Sequence, residues 1–170
     1  HGSPSGVVSS DVAYVTVGSM RIAVIPLYAV FDTPSLSAIN TVIREASEHS
    51  DFQIATIHWG EEYKKRNSNM QRVFAHSLID SGIDTIIGHH PHVLRGIEQY
   101  GRGYIVYSLG NFVCDMVWKD NLRETAIVKF SLSKGGAQLL ETVPVRINDE
   151  YQPVAMRNGQ RSNILKRIQT

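Results

Sequence analysis

Three runs rich in β-branched residues each stop at a polar cluster. Residues 52–57 run into His58, residues 83–87 into Gly88-His89-His90-Pro91-His92, and residues 104–107 into Ser108–Asn111. A helical periodicity separates the first two, and another precedes the first. Strand–helix–strand alternation of this kind restricts the chain to an α/β fold with a parallel core and helices packed on it. In open α/β sheets ligands bind just past the carboxyl ends of the strands. The alternation therefore predicts that His58, the 89–92 cluster and Ser108–Asn111 meet at one edge.

The rest of the chain fits this frame. Residues 12–17 and 20–25 read as two strands joined by Gly18-Ser19, a two-residue hairpin signal. Thr33 as N-cap with Pro34 at the first helical position opens a helix whose stripe is Leu36, Ile39, Val42, Ile43 and Ala46, ending near His49. Ser68 and Gln71 have capping-box spacing. The second helix then presents Met70, Val73, Phe74, Ser77 and Leu78 as its buried stripe, and Gly82 ends it in a left-handed cap. Beyond the third polar cluster the periodicity changes. Residues 125–132 and 138–147 alternate around Lys134-Gly135-Gly136, which predicts an antiparallel hairpin at the sheet edge. The tail from Asn148 is polar, with a turn at Asn158-Gly159. The expected order is β-β-α-β-α-β-β-β-β. Residues 1–10 read as a tag scar or linker and stand outside the fold argument.

With 170 residues and 42% hydrophobic content the chain is long enough for one domain with a sizeable core. The net charge of +1 gives no electrostatic case for nucleic acid. The densest basic cluster is Lys64-Lys65-Arg66. No apolar run has the length of about 20 residues that a transmembrane helix needs. The single cysteine, Cys114, rules out an internal disulfide and a cysteine-based zinc site, and with no Lys, Arg or His beside it in sequence it reads as a buried bystander.

Histidine is the commonest neutral metal ligand. In extended backbone the two imidazoles of His90-Pro91-His92 point to one side and reach one metal or a close pair, and Pro91 restricts His90 to extended geometry. His58 gains weight from its equivalent place at a strand end. His89 faces away from its neighbours, with a supporting role, a phosphate contact or plain packing all open. Glu61 and Glu62 follow His58, and either orienting an imidazole or ordinary solvation fits them. Asn111 carries an amide suited to a metal or a phosphoryl oxygen, or to a turn. Glu98 is open; His49 and His76 lie on helices and receive no role; Asp80 and Asp84 flank Gly82 as helix-end and strand-edge residues. A dinuclear phosphoryl-transfer centre needs a bridging carboxylate. No Asp stands at the tip of the strands ending at Pro26, His58, Gly88 or Ser108, and Asp32 and Asp115 lie farther along.

The blocks His58-Trp59-Gly60-Glu61-Glu62-Tyr63, Gly88-His89-His90-Pro91-His92-Val93 and Tyr107-Ser108-Leu109-Gly110-Asn111-Phe112, with Gln71 and Glu98, resemble the CapA (PgsA-type) family of bacterial capsule and poly-γ-glutamate synthesis proteins. The resemblance implies a partial metallophosphoesterase-like sandwich, with a parallel βαβ core and a C-terminal antiparallel hairpin. It implies metal ligands at His58, His90 and His92, with His89, Glu62 and Asn111 as supporting candidates, and divalent ions (Mn, Zn, Fe or Mg). The early Asp and Asn-His blocks of such a domain are absent. Residues 11–170 are thus expected to be its C-terminal half, inactive alone. The edge of the first strand and the apolar helix faces are expected to be exposed and to meet the N-terminal half or a second copy. By resemblance, the protein works with poly-γ-glutamate synthase and export components at the bacterial cell surface, extracytoplasmic and tied to the membrane through a segment outside this chain. A non-catalytic scaffold or polymer-handling subunit, and a metal-dependent phosphodiester or polymer hydrolase, are the competing roles.

Overall fold

The computed structural model describes residues 12–168, so the leader assigned to residues 1–10 lies outside the described residues. Nine strands and three helices follow in order: β1 (Ala13–Val17), β2 (Met20–Ala29), α1 (Leu36–Glu48), β3 (Phe52–Trp59), α2 (Asn69–Asp80), β4 (Thr85–His89), β5 (Ile97–Tyr100), β6 (Gly103–Val106), β7 (Glu124–Ser133), β8 (Gly136–Ile147), β9 (Pro153–Ala155) and α3 (Asn158–Ile168). A six-stranded sheet has the order β1-β2-β3-β4-β6-β5. β2, β3, β4 and β6 form its parallel centre, and β1 and β5 are antiparallel edges. This is the predicted core.

Side-chain alternation decides what each face does. Ala23, Ile25 and Leu27 of β2, Ala55, Ile57 and Trp59 of β3, and Ile86 of β4 point to one face. There they bury Ile39, Ile43 and Ala46 of α1 and Phe74, Ala75 and Leu78 of α2. The helix faces expected to be exposed are thus covered. Only the edge half of that expectation holds: every residue of β1 is exposed, Val15 and Val17 among them.

α2 has the predicted capping box: the Gln71 amide donates to Ser68 Oγ, and the Ser68 amide donates to Gln71 Oε1. It ends in a Schellman motif, with Gly82 (φ +116°) donating to Ile79 O and Ile83 to Leu78 O. Its buried face is Gln71, Phe74, Ala75, Leu78 and Ile79, a stripe at i, i+3, i+4, i+7 and i+8. Met70 and Val73, assigned to that stripe from sequence, are exposed, because the true stripe is rotated towards Ala75 and Ile79. α1 starts later than predicted. Ser35, extended at ψ 120°, is its N-cap, and Ser35 O accepts the first helical amide from Ile39, so Thr33 and Pro34 precede the helix.

The C-terminal hairpin forms, but not at the edge of the main sheet. β7, β8 and β9 make a separate three-stranded sheet. Its inner residues, with Ile164 and Ile168 of α3, pack against Ile97 and Val106 on the face of the main sheet away from α1 and α2. α3 stands where a turn was expected at Asn158-Gly159, and β5 and β9 were not foreseen. The result is a sandwich: helices, six-stranded sheet, then a small sheet with α3.

Candidate functional site

His58 is the penultimate residue of β3 and lies inside the strand; His89 ends β4. The parallel register pairs Tyr28 with His58 and His58 with His89. These three side chains therefore form a row on the face away from α1 and α2, at the carboxyl end of the parallel strands. Tyr28 and His58 stack with ring centroids 5.7 Å apart.

The row is held by a buried crosspiece. Trp59 Nε1 donates to Tyr107 O at 3.0 Å, passing over Gly88 of the intervening strand. A Cβ on Gly88 would lie 2.2 Å from Tyr107 O and 2.6 Å from the indole nitrogen, so glycine is the residue that lets β3 and β6 be tied across β4.

After β4 the backbone does not stay extended. His90 has φ +96° and His92 φ +59°, which corrects the extended geometry inferred from Pro91. A contact to the preceding loop holds this turn: the Tyr63 amide donates to Pro91 O at 2.9 Å, and Tyr63 stacks on His92 at 6.0 Å. His90 turns towards His58, their Nδ1 and Nε2 atoms 3.1 Å apart. His92 turns towards Asn111. The Asn111 amide nitrogen donates to Leu122 O (3.1 Å), which leaves its oxygen to accept from His92 Nδ1 (2.9 Å). Assigned from this network, the His92 proton sits on Nδ1, and its Nε2 lone pair is free, 3.8 Å from Glu62 Oε1. Asn111 is thus an orienting group for an imidazole. Partial burial, reinforced by neighbouring imidazoles, holds His58, His89 and His90 below the usual histidine value of 6.5, so they are neutral near pH 7.

One nitrogen each from His90 and His92 and one oxygen from Glu62 lie within 4.8 Å of one another. This set fits a divalent ion. Ligands about 2.0–2.1 Å from a tetrahedral ion are roughly 3.3 Å apart, near the 3.8 Å between His92 Nε2 and Glu62 Oε1; His58 lies outside this group of three and is hydrogen-bonded to its His90. Of the sequence candidates, His58, His90, His92, Glu62 and Asn111 come together. His89 continues the row beside His58. Glu98 lies elsewhere, accepting from Tyr107 Oη (2.7 Å) and bonding His76 Nε2 (2.8 Å).

Arg95 was missed. It is 2% exposed and donates to Lys64 O (2.8 Å), Glu61 O (2.8 Å) and Gln71 Oε1 (3.0 Å). It thereby fixes the loop that carries Glu62 and Tyr63. Burial lowers its pKa to about 10, so it stays charged at neutral pH. The one hint was an arginine directly after the apolar pair Val93-Leu94.

The comparisons with known proteins bear on family and fold. Residues 9–116 match the model of the family described as "Bacterial capsule synthesis protein PGA_cap". The chain belongs to that family. It is 43% identical over 128 residues to the "PGA biosynthesis protein CapA" of Bacillus subtilis, covering 75% of this chain but only 33% of the relative. Among solved structures it resembles a hypothetical protein from Thermus thermophilus, with a TM-score of 0.55 and 12% identity over 86% of this chain and 62% of that one. It also resembles a Mycoplasma pneumoniae structure titled a novel phosphatase, with a TM-score of 0.50 and 14% identity over 91% and 59%. At these identities the likeness is one of fold alone, and it agrees with the α/β sandwich described above.

Proposed function

We propose that this family member carries the histidine half of a divalent-metal centre, with His58, His90 and His92 as ligands, Glu62 beside them, and Asn111 and His89 in support. The observation that carries it is the grouping of His90, His92 and Glu62 ligand atoms within 4.8 Å of one another, with Asn111 Oδ1 accepting from His92 Nδ1 and His92 Nε2 left towards Glu62. A bound divalent ion supplies a Lewis acid and an activated water. The chain's own residues would hold it: burial keeps His58 and His90 neutral, and Asn111 orients His92.

Glu62 is the sole carboxylate in this group. Residues 11–170 are read as the C-terminal half of a metallophosphoesterase-like domain whose other half supplies the bridging carboxylates. In support, β1 is an open edge and the chain spans a third of its Bacillus subtilis relative. A second copy on that edge is the competing arrangement. The protein then serves capsule or poly-γ-glutamate synthesis at the bacterial cell surface, beside synthase and export components and tied to the membrane by a segment outside this chain. No helix among the described residues is long and apolar enough to cross a membrane. A scaffold or polymer-handling subunit, and a metal-dependent phosphodiester or polymer hydrolase, are the alternatives, and bridging carboxylates in the other half separate them.

The test is calorimetry and elemental analysis with Mn²⁺ and Zn²⁺, on this chain and on a longer one that includes the preceding segment. Binding that is tighter in the longer chain and lost in His90→Ala is expected. Absence of binding in both chains sinks the metal centre and leaves the scaffold.

A further inference from the structure

A second feature lies beside this site and is not used by it. A cavity of about 680 Å³ opens between the 65–69 segment, the start of α2 and the end of α3. Lys65, Arg66, Arg72 and Arg167 line it, and no carboxylate does. In a chain with 17 basic and 16 acidic residues such a one-sided wall stands out. Arg167 pairs with Glu124, but no ion pair among the described residues involves Lys65, Arg66 or Arg72. Arg72 bonds only the neutral side chain of Asn69, at 2.7 Å. An adjoining cavity of about 650 Å³ shares Lys65, Arg66 and Ser68 and reaches Gly60 and Glu61, next to Glu62. Gln71 lines this second cavity, and its buried Nε2 is a donor with no acceptor.

We infer that the two cavities form one track for an extended polyanion in which each repeat carries a carboxylate, leading to the loop of the candidate metal centre. The combined space is that of a ligand several units long, far larger than one anion needs. Cations left without partners in a cleft raise the local concentration of an anionic chain. The choice of carboxylate rests on the capsule-synthesis reading; the polyanion track itself rests on the groove.

The experiment is fluorescence anisotropy of short labelled poly-L-glutamate against this chain, at low and raised salt, with and without a chelator. Binding should weaken with salt and ignore the chelator. In Lys65→Ala/Arg66→Ala it should weaken about tenfold, as for two exposed charge contacts. Arg44→Ala/Lys119→Ala removes equal charge away from the groove and should bind like the wild type. The site assignment is overturned if the first pair leaves binding unchanged, or if no binding appears at low salt. Loss of binding on chelation moves the polymer to the metal centre and also overturns it. Tighter binding of polyphosphate of equal charge overturns the carboxylate class. The metal titration is a separate readout, so either idea can fail alone.

Discussion

Gly88→Ala tests the crosspiece beneath the site. The added methyl would sit 2.2 Å from Tyr107 O and 2.6 Å from Trp59 Nε1, and the first of these is backbone that cannot swing aside. Overpacking of this kind costs about 1–3 kcal/mol. Pushing β4 from β6 also breaks the 3.0 Å Trp59–Tyr107 hydrogen bond between two buried groups, for about 1–3 kcal/mol more. Gly88 is not at positive φ, so alanine returns about 0.5–1 kcal/mol by stiffening the unfolded chain. The net loss is about 3 kcal/mol, or about 6–12 °C in Tm for a chain of this size. Urea unfolding followed by tryptophan fluorescence and circular dichroism measures it. Gly135→Ala is the control: its nearest neighbour would be 3.6 Å away, so it should stay within about 0.5 kcal/mol of the wild type. A Gly88→Ala protein within about 1 kcal/mol of the wild type, at unchanged m-value, refutes the close-approach reasoning.

Asn111→Ala frees the His92 tautomer and should lower metal affinity about 10–100-fold by calorimetry; unchanged affinity would remove Asn111 from its orienting role. Arg95→Met keeps bulk but releases two carbonyls of the Glu62 loop and Gln71 Oε1 of α2, and should cost about 2–4 kcal/mol in urea unfolding. A cost below about 1 kcal/mol would show that the loop holds itself. Burial raises the Asp84 pKa against the opposing pull of the Gln53 amide and Arg102. A raised folded-state carboxyl contributes stability that is full below its unfolded value and lost as pH rises through its folded value. The wild type should therefore lose ground to Asp84→Asn as pH rises from about 3 to 7; a growing wild-type advantage in thermal melts contradicts the sign.

The parallel core was legible because each of its signals is local. Strand runs end at polar clusters, and Ser68, Gln71 and Gly82 punctuate α2 by their own backbone chemistry. What was missed depends on partners distant in sequence. The turn predicted at Asn158-Gly159 gives way to α3 because Ile164 and Ile168 find a pocket under β7 and β8, and tertiary burial outweighs a weak propensity. The 125–147 hairpin reads correctly as a hairpin, but its alternation does not say which surface its apolar side meets. Arg95 looks like a loop charge until its three acceptors come from other segments. The convergence of His58, the 89–92 cluster and Asn111 was visible because strand ends of a parallel sheet share an edge; the tautomer of His92 was not, since it needs Leu122 to fix the Asn111 amide.

Backbone strain gives the separate argument that these loops are built for their side chains. Among the described residues the non-glycine positions at positive φ are Tyr63, His90, His92 and Tyr151, so three of the four belong to this one site. Each such residue costs about 1 kcal/mol or more relative to ordinary backbone. A connection between β4 and β5 with no further task would place glycine or asparagine there. Here the conformations are maintained from outside, by Arg95 on the Glu61–Lys64 loop and by the Tyr63 amide on Pro91 O. The consequence is directional: with extended backbone at 90 and 92 the imidazoles could not turn, one to His58 and the other to Asn111, while keeping ligand atoms within reach of Glu62. The strain and the donor set are two views of one arrangement.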